Sequence, residues 1–258
     1  MRKPAICLSR LFLILLNLFL LMGLDLSAQD STQSTHSSSP PSSSKESMVS
    51  PAAKEGMIAP TPPFWGEIAA FKKQDSLRRP PEKAILFVGS SSFRKWTNVQ
   101  ADFPGYTIIN RGFGGSSFPD VIRYAKDIIY PYHPKQIVIY CGDNDLATSD
   151  SVTAEVVFER FLKLYNRIRS HLDTVDILYV SIKPSPSREK LVRRMEETND
   201  LIRDFLAKHS HAAFIDVYHK MLTPQGHPME DIFTEDKLHM NARGYAIWQK
   251  VIQPYLDK

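Results

Sequence analysis

Residues 83–96 read KAILFVGSSSFRKW. The stretch AILFVG (84–89) is continuously apolar and ends in glycine, which is the pattern of a strand buried on both faces. Ser90, Ser91 and Ser92 follow at once. Serine suits neither helix nor strand interiors, because its hydroxyl competes for backbone hydrogen bonds. Three in a row after a strand mean either a turn that needs small residues or a hydroxyl displayed for chemistry.

Four further runs resemble the first: YTIIN (106–110), QIVIYCG (136–142), DILYVSI (176–182) and AAFIDV (212–217). Between and after them, apolar residues recur at helical spacing. Residues 154–172 put Val157, Phe161, Leu164, Tyr165 and Ile168 on one face, and residues 187–209 do so with Leu191, Met195, Ile202, Phe205 and Leu206. A last helix over 241–256 carries Tyr245, Trp248 and Ile252, with Asn241 placed to cap it. Such alternation predicts an α/β fold: a three-layer α/β/α sandwich around a five-stranded, mainly parallel sheet. Ligands of such sheets bind beyond the carboxyl ends of the strands. The residues there are the three serines, RGFGGSS (111–117), GDND (142–145) and KPSPS (183–187).

The chain of 258 residues divides by composition. Arg2, Lys3 and Arg10 precede an apolar stretch, Leu11 to Leu24, and Ser27-Ala28 follows. This is the layout of a signal peptide over 1–28, cleaved after Ala28, with an uncleaved anchor as the alternative. At about 14 residues the stretch is shorter than a comfortable membrane span. Residues 29–63 are dominated by Ser, Thr and Pro and predict a disordered tether. Residues 64–258 suit one domain. Without the signal, the formal charge of +4 falls to +2, which points to no nucleic-acid partner and to no membrane contact beyond the N-terminal segment. Cys141 is then alone, so neither an intrachain disulfide nor a paired-cysteine zinc site is available. An exported location (periplasmic, cell-surface or secreted) is expected.

Acyl transfer needs a nucleophile, a base, a group that orients the base, and donors for an oxyanion. The strand ends offer serines, glycines and Asn144. The segment TEDKLHMNARGY (234–245) offers Asp236 and His239, three residues apart. A carboxylate on one ring nitrogen would fix the tautomer and leave the other nitrogen to take a serine proton. Each piece also has a plainer reading. Asp-x-x-His is common on surfaces, Gly112, Gly114 and Gly115 serve tight turns, and Asn144 suits a helix cap. GFGG does not fit the dinucleotide fingerprint, and no Walker motif is present. Serine 91 is not in a Gly-x-Ser-x-Gly elbow, since Phe93 fills the last position. No metal or cofactor is expected, and His209 and His211 are expected at the surface without an acidic partner. Trp65, Trp96 and Trp248 are expected in the core or a pocket wall. Lys183 is expected to be exposed, with lining of the substrate site as the alternative.

Together VGSSSF, NRGFGGS, CGDND and DKLHMN, in this order, resemble the SGNH hydrolases, also known as the GDSL esterase/lipase family. The resemblance spans about residues 83–255 and implies a flavodoxin-like sheet. It maps the nucleophile to Ser91, the oxyanion glycine to Gly115, the catalytic asparagine to Asn144, and the remaining pair to Asp236 and His239. The oxyanion hole would comprise the Ser91 N–H, the Gly115 N–H and the Asn144 side chain. One departure stands out: the family's usual Asp before the nucleophile is Ser90 here. What the resemblance implies is an exported serine hydrolase of carboxylic esters working through an acyl-enzyme. A short acyl group, acetyl, on a glycan or small molecule is the preferred substrate. A lysophospholipase or acyltransferase, or a silent ligand-binding domain, are the alternatives.

Overall fold

The computed structural model describes residues 61–258. The expected signal segment, and the expected tether up to residue 60, lie outside the described residues. Five strands form one sheet, all neighbours parallel, in the order β2-β1-β3-β4-β5: β1 Ile85–Gly89, β2 Ile108–Gly112, β3 Gln136–Tyr140, β4 Asp176–Val180 and β5 Ala212–Ile215. The helices are α1 Trp65–Leu77, α2 Ser91–Arg94, α3 Val99–Asp102, α4 Phe118–Ile128, α5 Asp143–Ala147, α6 Ala154–Arg169, α7 Val192–Leu206 and α8 Ala242–Ile252. This is the α/β/α sandwich that the alternation predicts.

Side chains of a strand alternate between the two faces of its sheet, and here both faces are covered. Leu86, Val88, Ile137, Ile139, Ile177 and Tyr179 pack with residues of α1, α4, α6 and α7. Ile85, Phe87, Val138, Tyr140, Leu178 and Val180 pack with Phe93, Val99, Trp248 and Ile252 of α2, α3 and α8. Local chemistry starts the helices. Thr153 accepts from the Val156 N–H at the head of α6, Asn241 accepts from the Arg243 and Gly244 N–H groups at the head of α8, and Ser117 with Asp120 forms a reciprocal capping box on α4.

The sheet differs from the sequence expectation in β2, which runs two residues later than YTIIN. Gln100 explains the start, since its side chain bonds the Tyr106 carbonyl and the Ile108 N–H. At the far end Arg111 and Gly112 are expected in the loop RGFGGSS, yet they belong to β2, an edge strand with polar partners. The Arg111 guanidinium is buried against Asp75 of α1 and the Tyr132 hydroxyl. The expected helix over 187–209 is also shorter, because a tight 3-10 stretch, Pro186–Leu191, precedes α7. Trp96 and Trp248 are core residues as expected, whereas Trp65 is exposed, its ring lying on the surface of α1 near Tyr124. His209 and His211 are at the surface, but His211 does have an acidic partner: its Nδ1 lies 2.8 Å from Asp176 Oδ1, brought close by the β4–β5 pairing.

Two features of this frame aim the strand ends. The connection order reverses between β1 and β3, so a crevice opens at their carboxyl ends. Ser91 leaves β1 there and Asn144 follows β3. Gly89 makes the exit from β1 tight. Its φ is +133°, and a Cβ there would fall 1.9 Å from the Tyr140 carbonyl oxygen. The second feature is Asp145, whose buried carboxylate accepts from Arg160 of α6 at 2.8 Å and from the Phe118 N–H of α4 at 3.0 Å. It clamps α5, which carries Asn144, to its neighbours. Burial pushes the Asp145 carboxyl up to about 6, against the pull of Arg160 and the Phe118 N–H.

Gly89→Ala should cost about 3–5 kcal/mol, since strain and overpacking add at one site. Urea unfolding followed by tryptophan fluorescence reads this directly, and an unchanged midpoint would contradict the packing argument. Asp145→Asn places an amide before two donors and should cost about 3 kcal/mol at neutral pH. Because the folded-state pKa of Asp145 lies above its unfolded value, the native state binds the extra proton between pH 6 and 4. Wild type therefore gains stability relative to the variant as pH falls through that window, by about 2–3 kcal/mol. A difference that stays flat or narrows would show that the carboxyl is not held in an unfavourable environment.

Candidate active site

The Ser91 side chain begins where β1 ends. Ser90 donates its N–H to the Tyr140 carbonyl at 2.9 Å and occupies the cap position of α2, so Ser91 is the first residue of that short helix. Its Oγ lies 3.0 Å from Nε2 of His239, 148 residues further along the chain. His239 Nδ1 lies 2.6 Å from Asp236 Oδ2. Ionised Asp236 can only accept, so Nδ1 carries the ring proton and Nε2 is left to accept from the serine.

The loop that presents Asp236 and His239 is built by Asp236 itself. Its Oδ1 accepts from the Leu238 N–H at 2.9 Å, the His239 N–H at 2.8 Å and the Thr234 hydroxyl at 2.8 Å. Thr234 and His239 close the turn, the Thr234 N–H donating to the His239 carbonyl at 2.7 Å. Partial burial works to raise the Asp236 pKa, but the donors from the His239 ring, the two backbone N–H groups and Thr234 outweigh it. They hold the carboxyl well below the usual carboxylate range. The carboxylate therefore stays charged throughout the neutral range.

Asn144 lies in the first turn of α5 and faces the serine turn. Its Nδ2 donates to Ser90 Oγ at 2.7 Å and to the Ser116 carbonyl at 3.1 Å, and its Oδ1 accepts from Arg188 Nη2 at 2.7 Å. The capping alternative fails, because the cap position of α5 is Gly142. Ser90 supplies a neutral hydroxyl where the resemblance noted in the sequence would lead one to expect a carboxylate.

The glycines of the second block separate by their surroundings. A Cβ on Gly112 would collide with Phe93 and Arg94 at 2.6 Å, and one on Gly114 with the Phe64 ring at 2.3 Å. A Cβ on Gly115 would meet only Asn144 Nδ2 at 3.8 Å, an ordinary contact. The fold thus explains the first two glycines and gives no packing reason for the third, which is exposed beside Asn144.

Ser91, Gly115, Asn144, Asp236 and His239, all chosen from the sequence, therefore stand around one site. Lys183 corrects its expectation: it is buried, 1% exposed, with Nζ over the Phe233 ring and 4.0 Å from Asp143 Oδ2. Burial lowers its pKa to about 8, with Asp143 opposing. Arg188, Asp143 and Ser116 were not singled out in the sequence. KPSPS stops one residue short of Arg188, and a cation directly beyond a strand-end loop was the available signal.

A model of the GDSL-like lipase/acylhydrolase family matches residues 84–247, a span that runs from the start of β1 into α8. No curated protein matches the chain. Among solved structures the fold is similar to that of a Streptococcus pneumonia protein provisionally described as a platelet activating factor, at a TM-score of 0.66 and 19% identity, covering 75% of this chain and 93% of that one. It is similar to a GDSL-like lipase from Bacteroides thetaiotaomicron, at a TM-score of 0.60 and 20% identity, covering 73% and 96%. It is also similar to a carbohydrate esterase of family 3 from Talaromyces cellulolyticus, at a TM-score of 0.52 and 16% identity, covering 67% and 95%. At such identities the likeness is one of fold, but the matched family span covers all five strands and every residue described at the site. The chain belongs to the GDSL-like lipase/acylhydrolase family and is a hydrolase acting on ester bonds.

Proposed function

We propose that the enzyme is an exported serine esterase that removes a short acyl group, acetyl foremost, from a carbohydrate. The observation that carries the mechanism is the relay Ser91 Oγ to His239 Nε2 at 3.0 Å and His239 Nδ1 to Asp236 Oδ2 at 2.6 Å. Ser91 attacks the ester carbonyl as its proton passes to Nε2, and the Asp236 carboxylate stabilises the imidazolium that forms. The carbonyl oxygen, now negative, takes hydrogen bonds from the Ser91 N–H, the Gly115 N–H and the Asn144 Nδ2 hydrogen that it shares with Ser90 Oγ. The imidazolium then protonates the leaving alcohol. Water, deprotonated by His239, attacks the acyl-enzyme, and the same donors hold the second oxyanion until Ser91 is released.

The site is open: Ser91, Asn144 and His239 are half-buried, and Gly115 and Asp236 are exposed. An open rim admits a bulky polar alcohol such as a sugar. The fold is also shared with the carbohydrate esterase named above. The N-terminal export pattern agrees with a substrate met outside the cytoplasm.

Treatment of the purified full chain with a fluorophosphonate should label Ser91 and no other serine, and His239→Ala should abolish the label. Labelling of Ser90 or Ser92 would displace the assigned nucleophile. Asn144→Ala should fold normally and lose about 10²–10³ in kcat on p-nitrophenyl acetate, the usual consequence of removing one oxyanion donor. Across p-nitrophenyl esters of increasing chain length, kcat/KM should be greatest for acetate. A maximum at long chains would favour the lysophospholipase alternative.

A further inference from the structure

The oxyanion asparagine is not held by neutral groups alone. Arg188 donates from Nη2 to Asn144 Oδ1 at 2.7 Å, while its Nη1 lies 3.1 Å from Asp143 Oδ2. Asp143 precedes Asn144 in sequence and is buried, 6% exposed at its side chain. Buried Lys183 stands 4.0 Å from the same carboxylate oxygen. Three charged side chains thus converge behind one neutral amide. Burying ionised groups is costly unless they are well paired. This cluster is not fully paired: Asp143 Oδ1, Lys183 Nζ and Arg188 Nη1 have no hydrogen-bond partner, so Asp143 and Arg188 meet as an ion pair. Stability of the fold is therefore a poor reason for the cluster.

We propose that Arg188, itself anchored by Asp143, is a positioning residue for Asn144 in the reaction. An arginine can only donate, so whatever amide atom faces it must be the oxygen. Oδ1 is thereby turned toward Arg188 and Nδ2 toward Ser90, Ser116 and the rim where Gly115 lies. The guanidinium charge also draws electron density toward Oδ1, which strengthens the Nδ2–H donors as an oxyanion forms. Preorganised donors matter because they need no reorientation at the moment of reaction. The loop that delivers Arg188 is tied to the histidine loop as well, the Ser187 N–H donating to the Lys237 carbonyl at 3.0 Å. One short segment, 185–188, therefore links the asparagine side of the site to the histidine side. A rival role is direct substrate contact, since Arg188 also walls a cleft of about 700 Å³ together with Leu146, Pro186 and Leu191.

This inference rests on the proposed role of Asn144, and a double-mutant cycle in the full chain separates the two. Arg188→Ala should lower kcat on p-nitrophenyl acetate about 10–50-fold with KM changed less than threefold. Arg188→Lys should recover only part of the loss, because a single ammonium cannot both donate to Asn144 Oδ1 and keep a second nitrogen beside the Asp143 carboxylate. In the Asn144→Ala background, Arg188→Ala should cost less than twofold more. Equal losses in both backgrounds, or a change confined to KM, would overturn the positioning role and indicate substrate contact. Near-normal turnover of Asn144→Ala alone would remove the oxyanion reading and this inference together. Thermal midpoints guard against misfolding. Should Arg188→Ala unfold, the Arg188→Lys variant measured with and without Asn144→Ala supplies the same cycle.

Discussion

A hydroxyl at residue 91 meets an imaginable partner only if the chain brings residue 239 back across the sheet, and the 3.0 Å contact between Ser91 and His239 is that meeting. Much of the architecture can be understood as serving it. The parallel sheet places every strand exit at one edge. The reversal of connection between β1 and β3 opens that edge into a crevice. The glycine that closes β1 lets the chain leave the sheet within one residue, so the serine is displayed and not buried in the strand. On the other side, four hydrogen bonds to Asp236 freeze a turn that would otherwise be a flexible connection into α8.

The rest of the site is a problem of aiming dipoles. Asn144 sits in a helix of five residues, too short to hold its own orientation. Its orientation comes from long-range contacts instead: Asp145 fixes α5 to α4 and α6, and Arg188 and the Ser116 carbonyl fix the amide. Two adjacent residues of GDND thus face opposite tasks. Asn144 turns to the solvent rim and Asp145 turns to the interior. Asp143 turns back to meet Arg188. The two carboxylates that flank Asn144 are both buried ties.

How much of this was legible in the sequence follows from the range of each interaction. Position after an apolar run marks the three serines, the RGFGGSS loop and GDND as candidates, and spacing before a capped helix marks Asp236 and His239; the choice of Ser91, Gly115 and Asn144 among them is what the resemblance to the SGNH hydrolases implies. Those are local patterns, readable without knowing what lies across the sheet. The burial of Lys183 is not legible locally, because its surroundings, Phe233 and Asp143, come from 50 and 40 residues away, and a lone lysine reads as exposed by default. Arg188 was passed over because its meaning depends on an amide 44 residues earlier. The limits of β2 were misplaced for the same reason: Arg111 belongs to a strand only because Asp75 and Tyr132 neutralise and cover it.

The most direct test of the central claim is to trap the covalent intermediate. The full chain mixed with p-nitrophenyl acetate and quenched in acid within the first turnover should yield, on peptide mapping, one acetyl group on Ser91. An acetyl group on a different residue, or complete turnover with no acylated peptide at any quench time, would contradict the account.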